Sequence, residues 1–146
     1  LKVMKKAEFL PSLYTHNAII DAQHQELINT INKLYEAIDS GKGTDEAKNA
    51  LAFLMQYTVF HFGGEEKLMQ EDKYPLFTEH KAAHDAFVET VKGLYQKLME
   101  EGATEDFADQ VEQEITNWLI VHIKGMDLKM IEWKNHRSGN QMDNLM

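Results

Sequence analysis

Residues 80–98 read HKAAHDAFVETVKGLYQKL, and the spacing in this stretch decides the fold. His80, His84, Phe87, Val91, Leu94 and Leu98 recur at steps of three and four, the period of one α-helical face. Residues four apart on a helix lie within about 40° of each other around the axis, so both imidazoles face the same way as the apolar residues. A helix that buries this stripe therefore buries two histidines with it.

Three further segments carry the same period. Ile20, His24, Leu27, Ile31, Leu34 and Ile38 form one stripe; Leu51, Leu54, Thr58, His61, Glu65 and Leu68 form a second; Phe107, Val111, Ile115, Trp118 and His122 form a third. Breaks at Pro11, Gly41-Lys42-Gly43, Tyr74-Pro75 and Glu101-Gly102-Ala103 separate the segments, and Thr44 and Thr104 are placed to cap the helices that follow them. Four helices of this length joined by short loops pack most simply as an all-α, antiparallel up-down-up-down four-helix bundle. Residues 1–146 read as one domain, with an N-terminal arm over about 1–15 and a polar, frayed tail over about 135–146.

In that arrangement five of the seven histidines fall at one level of the bundle: His24 early in the first helix, His61 late in the second, His80 and His84 early in the third, and His122 in the fourth. Glu65, four residues after His61, joins them. Asp127 is the awkward member, because five residues beyond His122 it lies about 140° away on a continuous α-helix. It reaches the same level only where the helix ends or distorts, and Gly125 falls in that interval. Burying five imidazoles and two carboxylates without partners costs several kcal/mol, and a helical core has few spare backbone groups to satisfy them. Imidazole with carboxylate suits iron, zinc or manganese, and seven ligands exceed one tetrahedral zinc. The set fits two metal ions. His16 and His136 lie off the stripes and read as loop or surface residues, and Glu66, about 100° around from Glu65, reads as a solvated neighbour.

Composition narrows the alternatives. Hydrophobic residues make up 43% and charged residues 27%, ordinary for a globular protein. A net charge of −9 offers no basic face for nucleic acid. With no cysteine, thiolate sites, disulfides and iron–sulfur clusters are excluded. No apolar run approaches membrane-spanning length, and the opening LKVMKKAEFLPSLY lacks the apolar centre of a signal peptide, so a cytoplasmic location is expected. The eight methionines read as core filler and tail. HExxH, Glu-x-x-His, GxSxG, P-loop and GxGxxG motifs are all absent.

From about Tyr14 to Trp133 the chain resembles the hemerythrin family, in particular its single-domain bacterial members. The matching pieces are Ile20-Asp21-Ala22-Gln23-His24, His61-Phe62 with Glu65-Glu66 and Met69, Tyr74-Pro75, His80 with His84, and Trp118-Leu119 leading to His122-Ile123-Lys124-Gly125 and Asp127. The resemblance implies a non-haem di-iron site that binds dioxygen without being an enzyme. One iron would take His80, His84 and His122 and the other His24 and His61. Glu65 and Asp127 would bridge them beside an oxo or hydroxo group. The two-histidine iron is then one ligand short, and dioxygen or a small anion such as azide would bind there. Phe62, Trp118, Leu119 and Ile123 would wall the pocket.

Gly63-Gly64, between His61 and Glu65, are expected to loosen the second helix and open the pocket. That feature keeps a runner-up reading in play, a redox enzyme reducing peroxide or nitric oxide at the same site, although no flavin or nicotinamide motif is present. Iron storage is a third reading, and it lacks extra carboxylates for iron transit.

Overall fold

The computed structural model describes residues 6–39 and 44–145, and from residue 137 onward its backbone alone. It is all-helical, with no strand among the described residues. Helix α1 spans Ala18–Asp39, α2 spans Thr44–Glu71 and α3 spans Phe77–Glu101. Helix α4 runs over residues 105–145 without leaving helical backbone, although two stretches of it, Glu112–Asn117 and Ile123–Asp127, are wound as wider π-turns. The elements form the four-helix bundle that the spacing predicts.

Each stripe turns inward. His24, Leu27, Ile31 and Leu34 of α1, Leu51, Leu54 and Thr58 of α2, the whole α3 stripe, and Phe107, Val111 and Ile115 of α4 are buried. Ile38, Leu68 and Trp118 at the stripe margins stay half-buried. Asp45 and Glu46 open α2, and Glu105 and Asp106 open α4, where carboxylates favour the positive end of a helix dipole. Thr104 caps α4 as expected, its hydroxyl accepting from the Phe107 N–H at 3.0 Å. Thr44 instead is the first residue of α2, and the Gly41-Lys42-Gly43 break lies outside the described residues. Gly102 ends α3 at φ 80°, a left-handed conformation that costs glycine least, and its N–H returns to Leu98 O.

The arm is fastened to the bundle. Ala7 and the Asn32 side chain exchange two hydrogen bonds, at 2.8 and 2.9 Å, and Leu13 in a 3-10 turn is buried. The tail read as frayed instead continues α4, its backbone helical to Leu145. At the opposite margin of the site a small apolar cluster of Ile20, Met69, Tyr74, Met130 and Ile131 closes the end of the bundle. The main core fills the rest, so the histidine layer lies between two apolar bodies. The Trp133 indole N–H donates to Asp72 O at 3.0 Å and ties α4 to the turn after α2.

Candidate metal centre

All seven candidate side chains, Asp127 among them, meet in one layer, each at most 4% exposed. Helix α1 supplies His24, α2 supplies His61 and Glu65, α3 supplies His80 and His84, and α4 supplies His122 and Asp127. Asp127 arrives there without any break in α4. The Leu128 N–H bonds Ile123 O five residues back, so this turn holds one residue more than an α-turn. Five residues then close about one revolution, and Asp127 comes round beneath His122. The distortion is the wide winding itself, not a glycine conformation, since Gly125 has no positive φ.

The layer divides into two groups that share both carboxylates. Glu65, His80, His84, His122 and Asp127 form one, and His24, His61, Glu65 and Asp127 the other, with ligand atoms within 4.8 Å of one another in each. In the first, His80 Nε2 and His84 Nε2 each lie 3.2 Å from His122 Nε2. Asp127 Oδ1 is 3.0 Å from His80 Nε2, and Glu65 Oε1 is 3.0 Å from His84 Nε2. In the second, the other oxygens turn the opposite way: Asp127 Oδ2 is 2.9 Å from His24 Nε2, and Glu65 Oε2 is 3.1 Å from His61 Nε2. Each carboxylate thus offers one oxygen to each group.

These separations suit a cation. Ligand bonds of about 2.1 Å at right angles put neighbouring donor atoms about 3 Å apart. The bonding agrees as well. His24 Nε2, His61 Nε2, both Glu65 oxygens and Asp127 Oδ2 are buried without a hydrogen bond, although their neighbours are within bonding distance. They lie close together without bonding one another. Buried polar atoms left so are rare and call for an ion or other partner.

Without a cation the layer holds protons. Burial alone would lower the His24 imidazole, but the carboxylates of Asp127 and Glu65 outweigh it and raise the pKa to about 9. His80 is raised to about 9 in the same way. Burial would push Glu65 up, yet His61, His24 and His80 hold it well below the carboxylate range. Burial and Glu65 would both raise Asp127, and His122 and His24 hold it low instead.

Two residues outside the layer aim the imidazoles. His61 Nδ1–H donates to Gln23 Oε1 at 2.7 Å, and His84 Nδ1–H donates to Glu66 Oε2 at 2.9 Å. Each bond fixes a tautomer that leaves Nε2 free to face inward. Glu66 is therefore not merely the solvated neighbour of Glu65: it bonds across to α3. Both stand in the stretches that carry the family resemblance, Gln23 beside His24 and Glu66 beside Glu65, but helical spacing alone gives neither a role.

The apolar wall is built by stacking. The Phe62 ring lies parallel to His84 at 3.8 Å, and Trp118 lies on His122 at 4.5 Å with Phe87 stacked outside it at 4.1 Å. Phe62, Leu119 and Ile123 are buried, whereas Trp118 is half-buried and its outer side faces a surface groove with Thr90 and Val121. Gly63 and Gly64 lie on the exposed side of an unbroken α2, and a Cβ on either meets nothing within 4 Å. Gly63 borders a groove of about 400 Å³ between α2 and α3 that reaches Phe62, Glu66 and His84. His16 and His136 are exposed and take no part, His16 occupying a turn residue at φ 67°.

A family model, the hemerythrin HHE cation binding domain, matches residues 15–133, which include all seven buried side chains of the layer. The chain is 34% identical over 115 residues to the bacteriohemerythrin of Stenotrophomonas maltophilia (strain R551-3), an alignment covering 75% of this chain and 69% of that one. It is 37% identical over 110 residues to the myohemerythrin of Riftia pachyptila, covering 75% and 78%. Among solved structures, a crystal structure of a hemerythrin with a leucine-to-alanine mutation aligns with a TM-score of 0.76 at 28% identity, over 89% of this chain and 98% of that one. A wild-type hemerythrin crystal structure gives 0.65 at 32% identity, over 76% and 83%.

Proposed function

The chain belongs to the hemerythrin family, and from that premise we propose that it binds dioxygen reversibly at a non-haem di-iron centre. His80, His84 and His122 would hold one iron and His24 and His61 the other, with Glu65 and Asp127 shared between the two groups. The observation that carries the reading is the unequal division of the layer: two buried carboxylates shared between a three-histidine and a two-histidine group. The second group is one ligand short of the first, which leaves room for a small exogenous molecule on that side.

Two ferrous ions at this position supply the two electrons that dioxygen binding draws on. The chain's own residues do the rest. Glu65 and Asp127 place two negative charges between the ions, which balances cationic metal in a core that water does not reach. Gln23 and Glu66 hold His61 and His84 with Nε2 inward. Phe62, Leu119 and Ile123 keep bulk water and stray proton donors away from the ligand, so that it leaves as it came. Azide, peroxide and nitric oxide are small enough to enter the same position.

The test is direct. Protein produced with ample iron should contain two irons per chain, and its anaerobic ferrous form should gain a visible absorption band in air and lose it under argon. One metal or none per chain sinks the dinuclear assignment. A second reading, peroxide or nitric oxide reduction at the same centre, is favoured by the groove that reaches Phe62 and His84 from the surface. It requires catalytic turnover with an added electron donor, which the same preparation measures.

A further inference from the structure

We propose that the Thr58 hydroxyl is the polar contact for the small ligand on the two-histidine side of the centre, giving an otherwise apolar pocket a preference for ligands whose free end accepts a hydrogen bond. The assignment rests on the di-iron reading above.

Thr58 is 2% exposed, and its Oγ1 has no hydrogen-bond partner. That is unusual for a helical threonine, which commonly turns its hydroxyl back to the carbonyl four residues earlier. Thr30 does so, donating to Glu26 O at 2.8 Å, and so does Thr90, donating to Ala86 O at 3.1 Å. Among the described residues the other buried threonines are all bonded: Thr15 to Asp21, Thr30 to Glu26, and Thr116 to Tyr35. Thr58 forgoes even its own helix. Its hydroxyl is held free inside the core.

Its place explains where a partner would come from. Thr58 precedes His61 by three residues and Phe62 by four, so on α2 it lies one turn from a two-histidine ligand and from the pocket wall. Glu65 lies one turn to the other side of His61, so Thr58 marks the core side of that imidazole. The neighbouring helices contribute Leu27, one turn beyond His24, Phe87, one turn beyond His84, and Leu119, one turn before His122, all buried and apolar. Thr58 is thus the polar member of the layer that roofs the centre. It sits on α2, which with α1 carries the two-histidine group. A hydroxyl not committed to a carbonyl can donate to an anionic or polar ligand at that position.

Thr58→Val removes the hydroxyl at nearly constant size, and Thr58→Ser keeps it. Two measurements decide the matter. In urea unfolding of iron-free protein, Thr58→Val should unfold at the same or a higher midpoint than wild type, because the hydroxyl it loses has no partner there. A clearly lower midpoint means that the hydroxyl is bonded within the protein, and overturns the assignment. In azide titration of the diferric protein, Thr58→Val should weaken binding by about tenfold, the scale of one charge-assisted hydrogen bond, with Thr58→Ser staying near wild type. If wild type holds two irons and Thr58→Val binds azide equally well, the Thr58 assignment falls and the di-iron reading stands. If wild type holds no pair of irons, both fall.

Discussion

At Asp127 and Glu65 a single substitution removes a carboxylate from both groups at once, since each turns one oxygen to each. Asp127→Ala and Glu65→Ala should each hold at most one iron per chain by elemental analysis, and the iron-loaded protein should melt lower because bound metal stabilises only the folded state. Either variant retaining two irons would remove that residue from the ligand set. Glu66 acts at one remove. Glu66→Ala should weaken iron retention against a chelator by about 10–100-fold, the usual effect of losing the partner that aims a ligating imidazole. Glu66→Gln, which keeps an acceptor oxygen for His84 Nδ1–H, should recover much of it. Six of the seven proposed ligands were legible because residues three and four apart share a helical face, a rule internal to one helix; Asp127, five residues from His122, breaks that rule. Gln23, Glu66 and the stacked Phe62 and Trp118 rings owe their roles to contacts between helices or to ring orientation, which spacing does not encode.

Helix α4 shows how an element can overrule its own period. On an ordinary α-helix Asp127 would point away from His122, and only the extra residue held by the Ile123–Asp127 turn brings it under. Deleting the exposed Gly125 should therefore be tolerated. The wide turn would close to an α-turn, Asp127 would stand four residues from His122, and Met130, Ile131 and Trp133 would keep their register. Circular dichroism and iron content near wild type are the expected outcome; a deletion that loses iron and helix content together would show that the extra residue is not absorbed in this turn. Sequence alone gave the conflict at Asp127 but not its resolution, because a π-turn has no composition of its own. The paired glycines make a second case. Their Cβ positions face open space on a continuous helix, so Gly63→Ala with Gly64→Ala should stabilise α2 by about 1–2 kcal/mol in urea unfolding. Azide should enter at an unchanged rate, against the expectation that these residues open the pocket.

Across the whole molecule, the bundle was readable because four stripes and short connections admit few packings, and helix bundles bring one end of every helix to a common level. The same convergence gives stability a different pH dependence with and without metal. In iron-free protein His24 and His80 are raised from an ordinary 6.5 to about 9. Their paired, protonated forms stabilise the fold fully below about 6.5, and that contribution is lost as pH rises through 9. Glu65 and Asp127, held low, contribute above the usual carboxylate range and cease to do so in acid. Iron-free protein should thus be most stable between about pH 4.5 and 6.5 and melt progressively lower towards pH 9. Iron must displace those protons, so the gap in melting temperature between loaded and iron-free protein should widen from pH 6 to pH 9; a gap that narrows would argue that the metal does not occupy the imidazole layer. The central claim is reversible dioxygen binding, and gas uptake tests it most directly. Anaerobic ferrous protein of known iron content should take up one dioxygen per two irons and return it under argon with the ferrous spectrum restored. No uptake, or consumption of dioxygen that argon does not reverse in freshly oxygenated protein, would contradict the account.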